Sequence, residues 1–340
     1  VKKLVFFLFP LFATLHGIGC CEIQRRAAFD IGSGRIKLQV SDVDIEANKI
    51  VNVLLTDTAE VPLREELEKS LEGGLSAEIQ NQAVEAIAKL MEKAAAFQPE
   101  ACHAVATEGL RLAVNGQALV ERIEKETGLP VTIISQEEEG ILGFLSAVNE
   151  TDVDLEKAVA WDFGGGSFQI TAKCGDRYCV YQGRIGKVPL KNRLLRMQGI
   201  DDPLCSPNPI GKVHAERAIQ FILANVDDVP DELRQKLDRP DVVVLGIGIH
   251  PLWGIKDSAF YDPRCVYGEL EERWDLTDEE ICEKESCPKQ AAVYLVSNLV
   301  LAYGVMQALG MGQVHYVGTQ GANAVGTLLS PKYWGKEINN

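Results

Sequence analysis

Phe29-Asp30-Ile31-Gly32-Ser33-Gly34 and Trp161-Asp162-Phe163-Gly164-Gly165-Gly166-Ser167 are two copies of one pattern, their aspartates 132 residues apart (162 − 30). In each copy an apolar run that reads as a buried strand ends in an aspartate. A glycine-rich turn follows, and an alternating second strand leaves it. That is a hairpin with a charged tip. Glycine lets such a turn bring backbone N–H groups against a ligand, while the aspartate can hold a cation or a water. Two such tips predict a duplicated fold that grips a phosphate from both sides.

Working outward from the first tip, apolar spacing predicts a helix over 76–97, stopped by Pro99. A strand over 102–107, a helix over 117–127, a strand over 131–134 and a helix opening near Gln136 complete the first half. The second copy starts with strand 158–163, its hairpin partner 168–173 and a third strand 178–182. Helices over 187–197 and 211–225, strand 242–246, the apolar helix 291–309, strand 313–317 and a helix near 323–329 follow. The repeated succession predicts an α/β protein of two duplicated domains, residues 22–150 and 151–330, with a cleft between them. Segments 203–209 and 251–275 read as loops, the second a lid or rim carrying Trp253, Cys265 and Trp274.

The chain of 340 residues begins with a basic start, an apolar stretch and small residues ahead of Cys20, which predicts a secretory signal peptide over residues 1–21. Gly17-Ile18-Gly19-Cys20 reads as a degenerate lipoprotein site at which Cys20 would be acylated and anchor the protein to a membrane, although Gly17 stands where leucine is usual. No later apolar stretch is expected to span a bilayer. The expected location is therefore exported: periplasmic or secreted, or tethered through Cys20.

Nine cysteines in an exported chain point to disulfides. Cys174 and Cys179 bracket a Gly175-Asp176 turn and Cys282 and Cys287 an acidic loop, so these are the first pairs expected, although the eight left once Cys20 is removed or acylated allow about 105 connectivities. Zinc is the weaker reading, because no Cys-x-x-Cys occurs and the histidines are scattered. The formal charge of −15 argues against nucleic acid and against long polyanions. A small phosphorylated substrate with its cation needs only a local positive site.

Three more segments carry chemistry. In Ala106-Thr107-Glu108-Gly109-Leu110-Arg111-Leu112 a strand ends in a polar turn, and Arg111 is suited to bidentate phosphate recognition or, more blandly, is a surface residue at a helix start. Ile134-Ser135-Gln136-Glu137-Glu138-Glu139-Gly140 puts three carboxylates in the first turn of a helix. They either complement its dipole behind a Ser135 cap or supply a general base facing the cleft. Gly246-Ile247-Gly248-Ile249-His250 reads as a turn or as a contact to a base or ribose, with His250 structural.

In order, Asp-Ile-Gly-Ser-Gly at 30–34, Ala-Thr-x-x-Leu-Arg at 106–111, Ile-Ser-x-x-Glu-Glu-Gly at 134–140 and Asp-Phe-Gly-Gly-Gly-Ser at 162–167 resemble the exopolyphosphatase / guanosine pentaphosphate phosphatase (Ppx/GppA) family. The resemblance spans roughly Ala27 to Leu329 and implies two ribonuclease H-like, actin-like ATPase domains. Secreted apyrases of the same superfamily are similar through Thr107 to Leu112, Glu138-Glu139-Gly140 with Phe144 and Asn149, and Gln169-Ile170, but the chain is short for them.

Carried over, the resemblance implies a hydrolase of phosphoanhydrides with Glu139 as catalytic base and Asp30 and Asp162 positioning metal and water. It assigns phosphate contacts to Gly32, Ser33, Gly34, Thr107, Arg111, Gly164, Gly165, Gly166 and Ser167. It also implies Mg²⁺, or Ca²⁺ in its place, at Asp30, Asp162 and Gln169. Departures from the exopolyphosphatase pattern are Gln169 for glutamate, Phe168 for threonine, Ile141 for arginine and Gly34 for asparagine. Phe168 and Ile141 motivate one rival of another class: a non-catalytic nucleotide- or phosphate-binding protein on the same fold.

Overall fold

The structure is a computed structural model that describes residues 22–151, 153–248, 259–319 and 322–334. The expected signal peptide with Cys20, as well as His250 and Trp253, lie outside the described residues. The first hairpin pairs β1 (Ile23–Ile31) with β2 (Arg35–Asp44), setting Asp30 opposite Lys37 and Ile31 opposite Ile36. Next come β3 (Lys49–Glu60), α1 (Leu63–Lys69), α2 (Ala77–Ala95), β4 (Ala101–Ala106), α3 (Glu108–Leu112), α4 (Gly116–Thr127), β5 (Val131–Ile133) and α5 (Gln136–Asn149). The sheet runs β3-β2-β1-β4-β5, with β4 and β5 parallel to the hairpin's first strand.

The second half repeats this. Its hairpin and third strand are β6 (Ala158–Phe163), β7 (Phe168–Cys174) and β8 (Arg177–Gly183). They lead to α6 (Lys187–Met197), α7 (Lys212–Asn225), α8 (Asp231–Leu237), β9 (Val243–Gly248), β10 (Phe260–Tyr261), α9 (Pro263–Glu271), α10 (Asp278–Glu285), α11 (Lys289–Leu309), β11 (Val314–Tyr316) and α12 (Ala322–Leu329). The order β8-β7-β6-β9-β11-β10 is the first sheet's order with one short strand added at the edge. Both halves are thus the ribonuclease H-like sheet, and the duplication holds residue for residue: Asp162 lies opposite Gln169 and Phe163 opposite Phe168.

Two expected loops are corrected. Segment 251–275 contains α9, started by Asp262, whose carboxylate accepts the Cys265 N–H at 2.7 Å. The acidic stretch between Cys282 and Cys287 is the last turn of α10, a helix begun by a Thr277/Glu280 capping box. Strand β3 and helices α1 and α8 had no counterpart in the sequence reading. Helix α11 is long and apolar enough to cross a membrane, with mean hydropathy 1.6, yet it is mostly buried against α7 and α9 as a core helix.

Period-two alternation decides what faces the cleft. Ala27, Phe29 and Ile31 enter the core with α2 and α4, which leaves Asp30 on the opposite face, toward α12. Likewise Trp161, Phe163, Phe168 and Ile170 enter the second core, so Asp162 and Gln169 face α5. The last helix of each half packs on the other half's sheet, α5 on β6–β9 and α12 on β1, β2 and β4. Where they cross, a Cβ on Gly326 would sit 2.2 Å from the Leu142 carbonyl oxygen, so glycine is required for the close approach.

Candidate active site

Both tips close through the same backbone bond: Gly32 N–H to Arg35 O at 2.9 Å and Gly164 N–H to Ser167 O at 3.1 Å. Behind each tip the carbonyls are tied to their own half. Ser33 O and Gly34 O accept from Arg64 and Val61, while Gly164, Gly165 and Gly166 accept from Lys187, Val188 and Gly186 at the start of α6. Among the described residues, the N–H groups of Ser33, Gly34, Gly165, Gly166 and Ser167 have no backbone acceptor. Two turns with spent carbonyls and unspent amides make an anion cradle.

Glu139 enters from α5. Of the three acidic residues, Glu137 is exposed, Glu138 is bound by Lys332 and Tyr333, and Glu139 turns inward, 13% exposed. Ser135 caps the helix, accepting Glu138 N–H at 3.1 Å. The following Gly140 makes this placement fit: a Cβ there would lie 2.7 Å from Thr171 Oγ1 and 2.8 Å from Val180 Cγ1. Burial pushes the Glu139 carboxyl up to about 8, against the pull of Arg111, with the charges of Asp162 and Asp30 adding to the rise.

Arg111 donates from Nη2 to Glu139 Oε2 at 3.1 Å and from Nη1 to Ile134 O at 2.8 Å. It therefore bridges the β4 turn and the α5 start. Asp162 is raised to about 6 by burial, opposed by Lys37 and supported by Asp30. Asp30, 3% exposed, is raised by burial, with Lys37 and Asn323 opposing. Gly248 ends β9 beside this pair at φ +86°, and a Cβ there would meet Asp162 Oδ1 at 2.8 Å, so its glycine serves packing around the aspartate.

The oxygen donors suit a hard divalent cation. Asp30 Oδ1 is buried without a hydrogen-bond partner, and the second aspartate shares its field. Asp30 and Asp162 would hold Mg²⁺ or Ca²⁺, with the Gln169 amide oxygen as a neutral third donor. Gln169 is buried on the cleft face and donates to Ser167 Oγ at 3.2 Å.

Two site residues escaped the sequence reading. Lys37 sits 3.8 Å from Asp30 Oδ2 and, by the duplication, is the first-half counterpart of Gln169. Its signal was present, since it lies seven residues after Asp30 as Gln169 does after Asp162. Glu108 reaches across from α3: a Cβ on Gly166 would lie 1.6 Å from its Oε2, so its carboxylate rests on the second tip. Ser33 Oγ at 3.4 Å and Arg64 at 3.5 Å hold it there.

Thr107 differs from its expected place among the phosphate contacts. It is buried, and its hydroxyl donates to the Ile31 carbonyl at 3.4 Å, which makes it part of the scaffold. The concern over Phe168 is also resolved by position. Phe168 is fully buried in the second core against Tyr181, facing away from Asp162, so it takes nothing from the cleft.

The model of the Ppx/GppA phosphatase family matches residues 42–246. The Ppx/GppA family member from Aquifex aeolicus superposes with a TM-score of 0.72 at 18% identity, covering 91% of this chain and 97% of its own. An exopolyphosphatase from Cytophaga hutchinsonii gives 0.65 at 16% identity, covering 90% and 98%. At these identities the structural likenesses speak for the fold, and the family match supports the first of the two resemblances. That match covers more than half of the chain, and on it the protein belongs to the Ppx/GppA phosphatases, a family of phosphoanhydride hydrolases.

Proposed function

We propose that the protein releases phosphate from short polyphosphates or nucleoside polyphosphates in an exported compartment, with Glu139 as general base. The observation that carries this reading is the Glu139 carboxyl, raised to about 8 beside Asp30 and Asp162 and between two tips with unspent amides. About a tenth of that carboxyl is ionised at pH 7, and the ionised form is the one that takes a proton from water, so phosphate release should rise with pH toward 8.

In this mechanism the terminal phosphoryl group lies between the tips, its oxygens on the N–H groups of Ser33, Gly34, Gly165, Gly166 and Ser167. Arg111 holds Glu139 Oε2, so Oε1 is the oxygen that takes the proton as water attacks phosphorus. The bond from phosphorus to the bridging oxygen breaks, and the remaining phosphate leaves. Lys37 and Arg111 meet charge developing on the phosphoryl oxygens. A divalent cation held by Asp30, Asp162 and Gln169 would neutralise phosphate charge.

The acidic surface favours short substrates over long polyphosphate. The test is phosphate release from tripolyphosphate, ATP, GTP and long-chain polyphosphate with Mg²⁺ or Ca²⁺. Release from the short substrates supports the reading. Binding of all four without release would leave the fold a binding module.

A further inference from the structure

The sites at the cleft leave one chemical cluster unused, at the far end of the second hairpin. In the β7–β8 register Cys174 lies opposite Arg177 and Ala172 opposite Cys179, which makes Cys174 and Cys179 diagonal neighbours on one face. Their sulfurs and a carboxylate oxygen of Glu232, on α8, all lie within 4.8 Å of one another. The Cys179 thiol donates to Glu232 Oε2 at 3.0 Å, and Arg177 Nη1 donates to Cys179 Sγ at 3.7 Å.

We propose that Cys174 and Cys179 close a disulfide across the β7–β8 hairpin, with Cys174 as the attacking sulfur. Cys174 is half-buried and Cys179 buried, so a thiol oxidant meets Cys174 first. The Cys174 thiolate attacks one sulfur of a small-molecule disulfide such as oxidised glutathione. That S–S bond breaks, and one glutathione leaves as thiolate. Cys179 then loses its proton to solvent and attacks the Cys174 sulfur, and the second glutathione leaves as thiolate. The two cysteines lose two electrons, and the glutathione disulfide gains them.

Metal is the rival occupant of a Cys₂Glu cluster. Arg177 Nη2 contacts the same Glu232 oxygen that accepts from Cys179, so a guanidinium already stands where a bound cation would add like charge. Cys102 and Cys205 lie outside the cluster and remain thiols in this scheme.

The test uses the full chain isolated from an oxidising compartment, alkylated under denaturing conditions without reductant and then mapped by mass spectrometry. A peptide linked 174–179, with Cys102 and Cys205 alkylated, is expected. Free alkylation of Cys174 and Cys179, or one equivalent of zinc released by acid, would overturn the proposal. For the reduced protein mixed with oxidised glutathione, Cys179→Ser should trap glutathione on Cys174. No glutathione trapped on Cys174 in that variant would remove its role as the attacking sulfur. Because neither readout involves phosphate release, failure here is separate from failure of the proposed activity.

Discussion

Replacing Glu139 with glutamine should make the protein more stable and nearly inactive at once. The carboxyl is raised from 4.5 to about 8 by folding, so the folded state holds a proton that the unfolded chain releases. The sign follows: stability is full below pH 4.5 and is lost as pH rises toward 8. At about 1.4 kcal/mol per pH unit, the ionised group costs about 3 kcal/mol at pH 7 and about 5 kcal/mol well above pH 8. Glutamine cannot ionise and avoids that cost. In thermal unfolding with a chelator present, wild type and Glu139→Gln should melt together near pH 4.5, and the variant about 4 °C higher at pH 7. The same substitution should lower phosphate release by about 10²–10⁴-fold. A melting difference that stays constant from pH 4.5 to 8 would refute the reasoning, because it would show that Glu139 carries no raised carboxyl.

Gly140→Ala brings a Cβ within 2.7 Å of Thr171 Oγ1 and should cost about 1–3 kcal/mol, with loss of activity as α5 shifts Glu139, measured by denaturation and turnover together. Phe168→Thr, which moves the second tip toward the exopolyphosphatase pattern, should destabilise by about 3 kcal/mol without raising kcat, since Phe168 is a core residue; a clear gain in kcat would contradict that placement. Glu108→Ala removes a carboxylate from the second tip and should lower KM for an anionic substrate about fivefold, equivalent to about 1 kcal/mol, leaving kcat near wild type.

The two hairpins were legible because alternation and glycine are local signals, and their register carries over from one half to the other without a shift. The same alternation already contained the answer on Phe168, which must face away from its neighbours Asp162 and Gln169 across and along the hairpin. Lys37 was readable by that route too. Glu108 was not: it reaches Gly166 only because the two halves close on each other, a contact that no local pattern encodes. The exchange of α5 and α12 between sheets was hidden for a similar reason, since an apolar helix face does not name the sheet it covers. Strand β3 lies at a sheet edge with Val51 and Val53 exposed, so its alternation is weak. The short helices α1, α8 and α10 are strongly charged, a composition shared with solvated loops.

The central claim is that Glu139 acts as a base on a phosphoanhydride held between the two tips. The most direct measurement is kcat for phosphate release from tripolyphosphate with Mg²⁺, wild type against Glu139→Gln, with the fold of both checked by melting. Turnover by the wild type and a loss of at least about 100-fold in the folded variant is the predicted result. Equal turnover in the two proteins would contradict it.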